Sequence, residues 1–146
     1  MTTLTRQKVL NVLQEGWGSY IQSYQRLSKQ AQTVFLTRQG YARFADLLAH
    51  IVAWWEVGYQ SIERYVSDPE AQPRSYDVDA FNAEAVAKSA GMDEEQVIAS
   101  FEKMRNLLIE FVKALPDSAF ENEKVINQLN MEFVGHLSEH ALPSVE

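Results

Sequence analysis

The sequence contains no cysteine. That excludes disulfides, a cysteine nucleophile and any thiolate metal site supplied by the chain itself. Histidine is scarce as well, with three residues in 146, at positions 50, 136 and 140. No stripe of lysine and arginine runs along the chain, whose formal net charge is -7. Nucleic-acid phosphates and anionic membrane surfaces are met by clustered cations, so neither is expected as a partner. No apolar run approaches the ~20 residues that span a bilayer. The opening stretch MTTLTRQKVLNVL lacks an apolar h-region and a small-residue cleavage site, so it does not read as a secretory signal. The expectation is a cytoplasmic protein. Period-two alternation between turn residues is missing too, which leaves strands without support.

What is present is helical periodicity in a chain with an ordinary globular balance, 46% hydrophobic against 23% charged. That balance and this length fit one domain, over 1–146, with a sizeable core. Leu10, Leu13, Trp17, Tyr20, Tyr24 and Leu27 recur at three- and four-residue steps and predict a helix over about 4–27. Gly16 and Gly18 weaken it by about 1 kcal/mol each. The stretch SKQAQTVFLTRQG reads as a linker. A second helix over about 41–66 carries Phe44, Leu47, Leu48, Ile51, Trp54, Trp55 and Ile62. The polar, two-proline stretch SDPEAQPRSY ends it. DVDAFNAEAVAKSAG reads as a short helix closed by Gly91. A long helix then starts at the N-cap Asp93, with Gln96 completing a capping-box variant, and stops at Pro116. The last helix covers about 121–141. The expected fold is all-α: a four-helix bundle with an extra short helix between the second and third long helices.

The last helix carries the main chemical signal, FVGHLSEH. Ile126, Leu129, Phe133, His136, Leu137 and His140 follow the helical rhythm, which puts both histidines on the inward face. Residues four apart on a helix lie one above the other and can share one metal ion. His50, in DLLAHIVAWW, falls at the edge of the apolar face of the second helix. If these helices are neighbours, His50, His136 and His140 converge. Three imidazoles would hold a divalent ion and leave a position open for water or substrate. The plainer alternative is three packed, hydrogen-bonded core histidines. HLSEH also matches the H-x-x-E-H pattern of inverted zinc proteases. There, a further ligand comes from well downstream, and only six residues follow His140 here. Glu139 also projects about 100° away from His140 around the helix.

Other residues gather around these by spacing. Asp46 and Glu132 each lie one turn before a histidine, where a carboxylate can accept the imidazole proton. Trp54, one turn after His50, is a candidate pocket wall, as are Trp17 and Tyr20 from across the bundle. For each aromatic the competing reading is simple core.

LLAHIVAWWE resembles the second-helix motif of the DinB-like superfamily, and GHLSEH is similar to its closing motif. The stretch from YDVDAFNAEAV to ALPDSAF looks like the middle of its members. The resemblance spans most of the chain. It implies a four-helix bundle binding a divalent metal (zinc, nickel or manganese) through His50, His136 and His140. It also implies homodimers and a small-molecule substrate. Members include transferases that use a low-molecular-weight thiol cosubstrate, metal-dependent hydrolases and small resistance proteins of the ClbS/DfsB type. The implied activity is therefore a metal-dependent thiol transferase or hydrolase. The alternative is a non-catalytic, dimeric bundle that binds or sequesters a small molecule and keeps a vestigial metal site.

Overall fold

The computed structural model describes residues 4–143, and among them every regular element is a helix. The first stretch comes in pieces: α1 (Arg6–Asn11), a π-helical turn over Val12–Gly16, and α2 (Tyr20–Gln25). The single helix expected there is interrupted where the backbone turns at Gly18. A Cβ on Gly18 would stand 2.0 Å from the Gln14 carbonyl oxygen, so no larger residue fits that turn. The apolar face survives the interruption, because Leu10, Leu13, Trp17, Tyr20, Tyr24 and Leu27 are all buried.

The stretch read as a linker is a helix, α3 (Lys29–Gln39). The Ser28 side chain accepts from the Ala31 N–H at its start. Gly40, at φ 84°, supplies the left-handed residue that closes it. Its only buried residues are Phe35 and Leu36. Two neighbours in sequence make no stripe, so periodicity does not reveal this helix. α4 (Phe44–Ser67) follows, with Leu47, Leu48, Ile51, Trp55 and Ile62 completely buried.

α5 (Val78–Ser89) is the short helix expected between the long ones, capped by Asp77. It does not end on a left-handed glycine: Ala90 caps it in the right-handed region, and Gly91 has no positive φ. α6 (Glu94–Ala114) begins with the full capping box, Asp93 and Gln96 each bonding the other's backbone N–H. Past Pro116 comes a 3-10 turn over Asp117–Glu121. Then come α7 (Glu123–Gln128), a π-helical segment over Leu129–Gly135, and α8 (His136–Glu139).

α4 is the hub of the packing, in contact with α5, α6, α7 and the π-helical segment before α8. At the centre Trp17 meets Trp55 edge-on at 5.1 Å, and Trp55 lies 4.8 Å from Phe101. Among the described residues no helix is long and apolar enough to cross a membrane.

α4 packs tightly on the π-helical segment at Gly58. A Cβ there would stand 2.9 Å from both Cβ and Cγ of Glu132. Overpacking at such a contact costs about 1–3 kcal/mol. Gly58→Val should therefore lose about that much stability in urea unfolding. Gly91→Ala, with nothing within 4 Å of the added Cβ, should be neutral or up to about 1 kcal/mol stabilising.

Candidate metal centre

His50 comes from the middle of α4, and His136 and His140 from the end of the last helical stretch. The last two follow directly on the π-helical segment Leu129–Gly135. Four-residue steps in an α-helix drift around the axis by about 40° each. The wider π turn takes this drift back. Val125, Leu129 and Phe133 are therefore buried on one row, and Glu132, His136 and His140 on the row beside it. Ile126, expected on the inward face, is only half-buried, and Val125 takes its place.

The structure brings all three histidines together, each more than nine-tenths buried. His50 Nε2 lies 3.2 Å from His140 Nε2 and 3.3 Å from His136 Nε2. The three ligand atoms all fall within 4.8 Å of one another. Two nitrogens on one tetrahedral ion, with bonds of about 2.0–2.1 Å, stand about 3.3 Å apart. The spacing is that of ligands around a shared ion.

The opposite ring nitrogens decide which atoms are free to bind. His136 Nδ1 is 3.2 Å from the Glu132 carbonyl oxygen, which only accepts, so Nδ1 carries the proton. His50 Nδ1 is 2.9 Å from Asn82 Oδ1, and the Trp54 indole N–H donates to that same atom at 2.7 Å. The indole identifies Oδ1 as the acceptor, so His50 also donates from Nδ1. His140 Nδ1 stands 2.7 Å from Gln39 Oε1, while the Gln39 amide nitrogen donates to the Glu139 carbonyl. Each neutral ring thus turns an Nε2 lone pair toward the other two. Only an imidazolium could place a proton between them, and the site disfavours that. Burial lowers all three pKa values. His136, further lowered by His50, comes down to about 4; His140, further lowered by His136 and His50, to about 3. Three inward lone pairs with no proton among them can hold a metal cation.

The expected supporting residues are placed differently. Asp46 accepts from Arg43 at 2.7 Å, not from His50. Arg43 in turn donates to the Met92 and Ser89 carbonyls and so ties down the far end of α5. Glu132 supports His136 through its backbone carbonyl. Its carboxyl is buried, and Oε2 has no hydrogen-bond partner. Burial, with Glu139 adding to it, pushes that carboxyl up to about 8. Trp17 lies behind His136 at 6.1 Å between ring centres and donates to the Phe133 carbonyl. The Tyr20 hydroxyl donates to the His140 carbonyl at 2.7 Å. Neither lines the opening in front of the triad. Trp54 does, on one wall of a cavity of about 600 Å³ that all three histidines share. Spacing arguments did not reveal Asn82 and Gln39. They sit on α5 and α3, far from the histidines in sequence, and nothing local marks them.

Compared with protein-family models, curated proteins and solved structures, the chain matches none.

Removing an outer hydrogen-bond partner of a metal-ligating imidazole lowers metal affinity by about 10–100-fold. Asn82→Ala should do so, as read by competition with a chromophoric chelator, and should also loosen the start of α5, which that side chain holds. The lowered pKa values predict weak acid competition. From pH 7 to pH 5.5 the affinity should fall only fewfold; three solvated imidazoles of ordinary pKa would lose roughly several hundredfold.

Proposed function

We propose that the protein is a divalent-metal-dependent enzyme acting on a small molecule, on a four-helix bundle of the DinB-like type. The observation that carries this reading is the convergence of three Nε2 lone pairs on the floor of an open cavity. In the bundle reading, the α1–α2 stretch, α4, α6 and the α7–α8 stretch are the four rods, with α3 and α5 in the connections.

A buried histidine cluster with purely structural work would be sealed by its neighbours. Here Trp55 turns into the core against Trp17 and Phe101. Trp54 instead stands at the cavity wall, fixed by its bond to Asn82. An all-imidazole donor set suits zinc or nickel better than manganese, which prefers oxygen. When bound, such an ion supplies Lewis-acid polarisation and lowers the pKa of a thiol or water in its open position. The chain's own part is to hold three neutral imidazoles in one orientation and to keep the Trp54 side open. Because the sequence has no cysteine, any thiol in the reaction belongs to a cosubstrate. The two reaction classes this site serves are thiol transfer and hydrolysis.

The test is a screen of the zinc- and nickel-loaded protein for thiol transfer to chromogenic electrophiles and for hydrolysis of chromogenic esters and amides. The expected result is turnover that falls at least 100-fold in His136→Ala and in chelator-treated protein. Metal bound without turnover in either class would favour a sequestering protein instead.

A further inference from the structure

The walls of the cavity carry a charge pattern that bears on what enters it. Of the side chains lining it, none is lysine or arginine, and two are carboxyls, Glu132 and Glu139. They lie seven residues apart on the last helical stretch, on either side of His136 in the sequence. Neither belongs to the set of ligand atoms gathered within 4.8 Å, so the pair is not part of the metal's ligand group. Glu132 is 7% exposed, and its Oε2 is buried without a partner. A buried acceptor left unpaired costs about 1–3 kcal/mol, and the nearby Glu139 carboxylate adds to the cost of ionising Glu132. A positively charged group in the cavity would relieve both.

The remaining walls suit such a group. Tyr41 stands 5.4 Å from the His50 ring, and Trp54 is 5.7 Å edge-on from Tyr76. Aromatic faces of this kind attract organic cations, the more so when water is excluded. The rim is apolar and open: Tyr76 is 37% exposed, Val78 53% and Met131 56%, half of the exposed large hydrophobics among the described residues. Exposed apolar side chains gathered at the mouth of one cavity mark a binding site.

We infer that the occupant of this cavity is a small organic cation, an amine or quaternary ammonium on an apolar body. Its charge faces Glu132 and Glu139, and its body lies against Tyr41, Trp54 and Tyr76. The inference rests on the triad being the reactive end of the same cavity. It narrows the substrate class: an aminothiol or an amine-bearing ester fits, whereas a thiol carrying several carboxylates meets no cationic side chain here.

The test uses a matched pair of probes, benzyltrimethylammonium and benzenesulfonate, titrated calorimetrically into the purified protein. Metal content is measured on the same sample. The expected result is at least tenfold tighter binding of the ammonium probe. Glu139→Gln, which alters an exposed carboxyl, should cut that preference at least threefold, and E132Q/E139Q should abolish it. Equal or tighter binding of the sulfonate, no saturation by the ammonium at millimolar concentration, or an unchanged preference in E132Q/E139Q would overturn the inference. A metal-free protein that keeps the ammonium preference would defeat the metal-enzyme reading and leave this one standing. A metal-loaded protein that prefers the sulfonate would do the reverse.

Discussion

Each of the three imidazoles uses its Nδ1 on an acceptor from a different part of the chain, and this leaves three Nε2 lone pairs facing one another. Asn82 comes from α5, Gln39 from α3, and the Glu132 carbonyl from the π-helical segment. Other features of the fold follow from keeping these three bonds. A flexible loop in place of α3 or α5 would have left His140 or His50 free to rotate.

The same bonds explain why two weakly buried helices hold their places. α5 buries only Ser89 and α3 only Phe35 and Leu36, too little apolar surface to fix either by burial alone. α5 is held instead by Asn82 at one end, through Trp54 and His50, and by Arg43 at the other. Asp46 keeps the Arg43 guanidinium aimed. Each neutral hydrogen bond contributes about 0.5–1.5 kcal/mol. Site and fold are therefore coupled: a change that frees an imidazole also loosens a helix. An ion at the triad would be linked to folding in the same way, because it binds only when α4 and the last helical stretch are in register.

Much of the architecture was legible in the sequence. The apolar stripes of α4 and α6 are long and regular, and Asp93 with Gln96 marks a helix start without ambiguity. His136 and His140 could be placed inward because a four-residue step keeps two side chains on one face. What stayed hidden has specific causes. α3 has no stripe, so its caps, Ser28 and Gly40, were the only local signs of it. The π turns at Val12–Gly16 and Leu129–Gly135 shift the register without any marker residue, which is why Val125 rather than Ile126 is buried. Asp46 and Glu132 stand at the right spacing to hold an imidazole, but spacing cannot foresee a nearby arginine for the first or a better-placed backbone carbonyl for the second. The acceptors that do serve, Asn82 and Gln39, become neighbours of the histidines only through the tertiary fold.

The site stands or falls with three buried imidazoles sharing one ion. X-ray absorption at the metal edge of the zinc-loaded protein tests it most directly. Three imidazole-type nitrogen scatterers at about 2.0–2.1 Å are expected, with one further oxygen donor such as water completing the shell. A shell of oxygen donors, two or fewer imidazoles, or no bound zinc would contradict it.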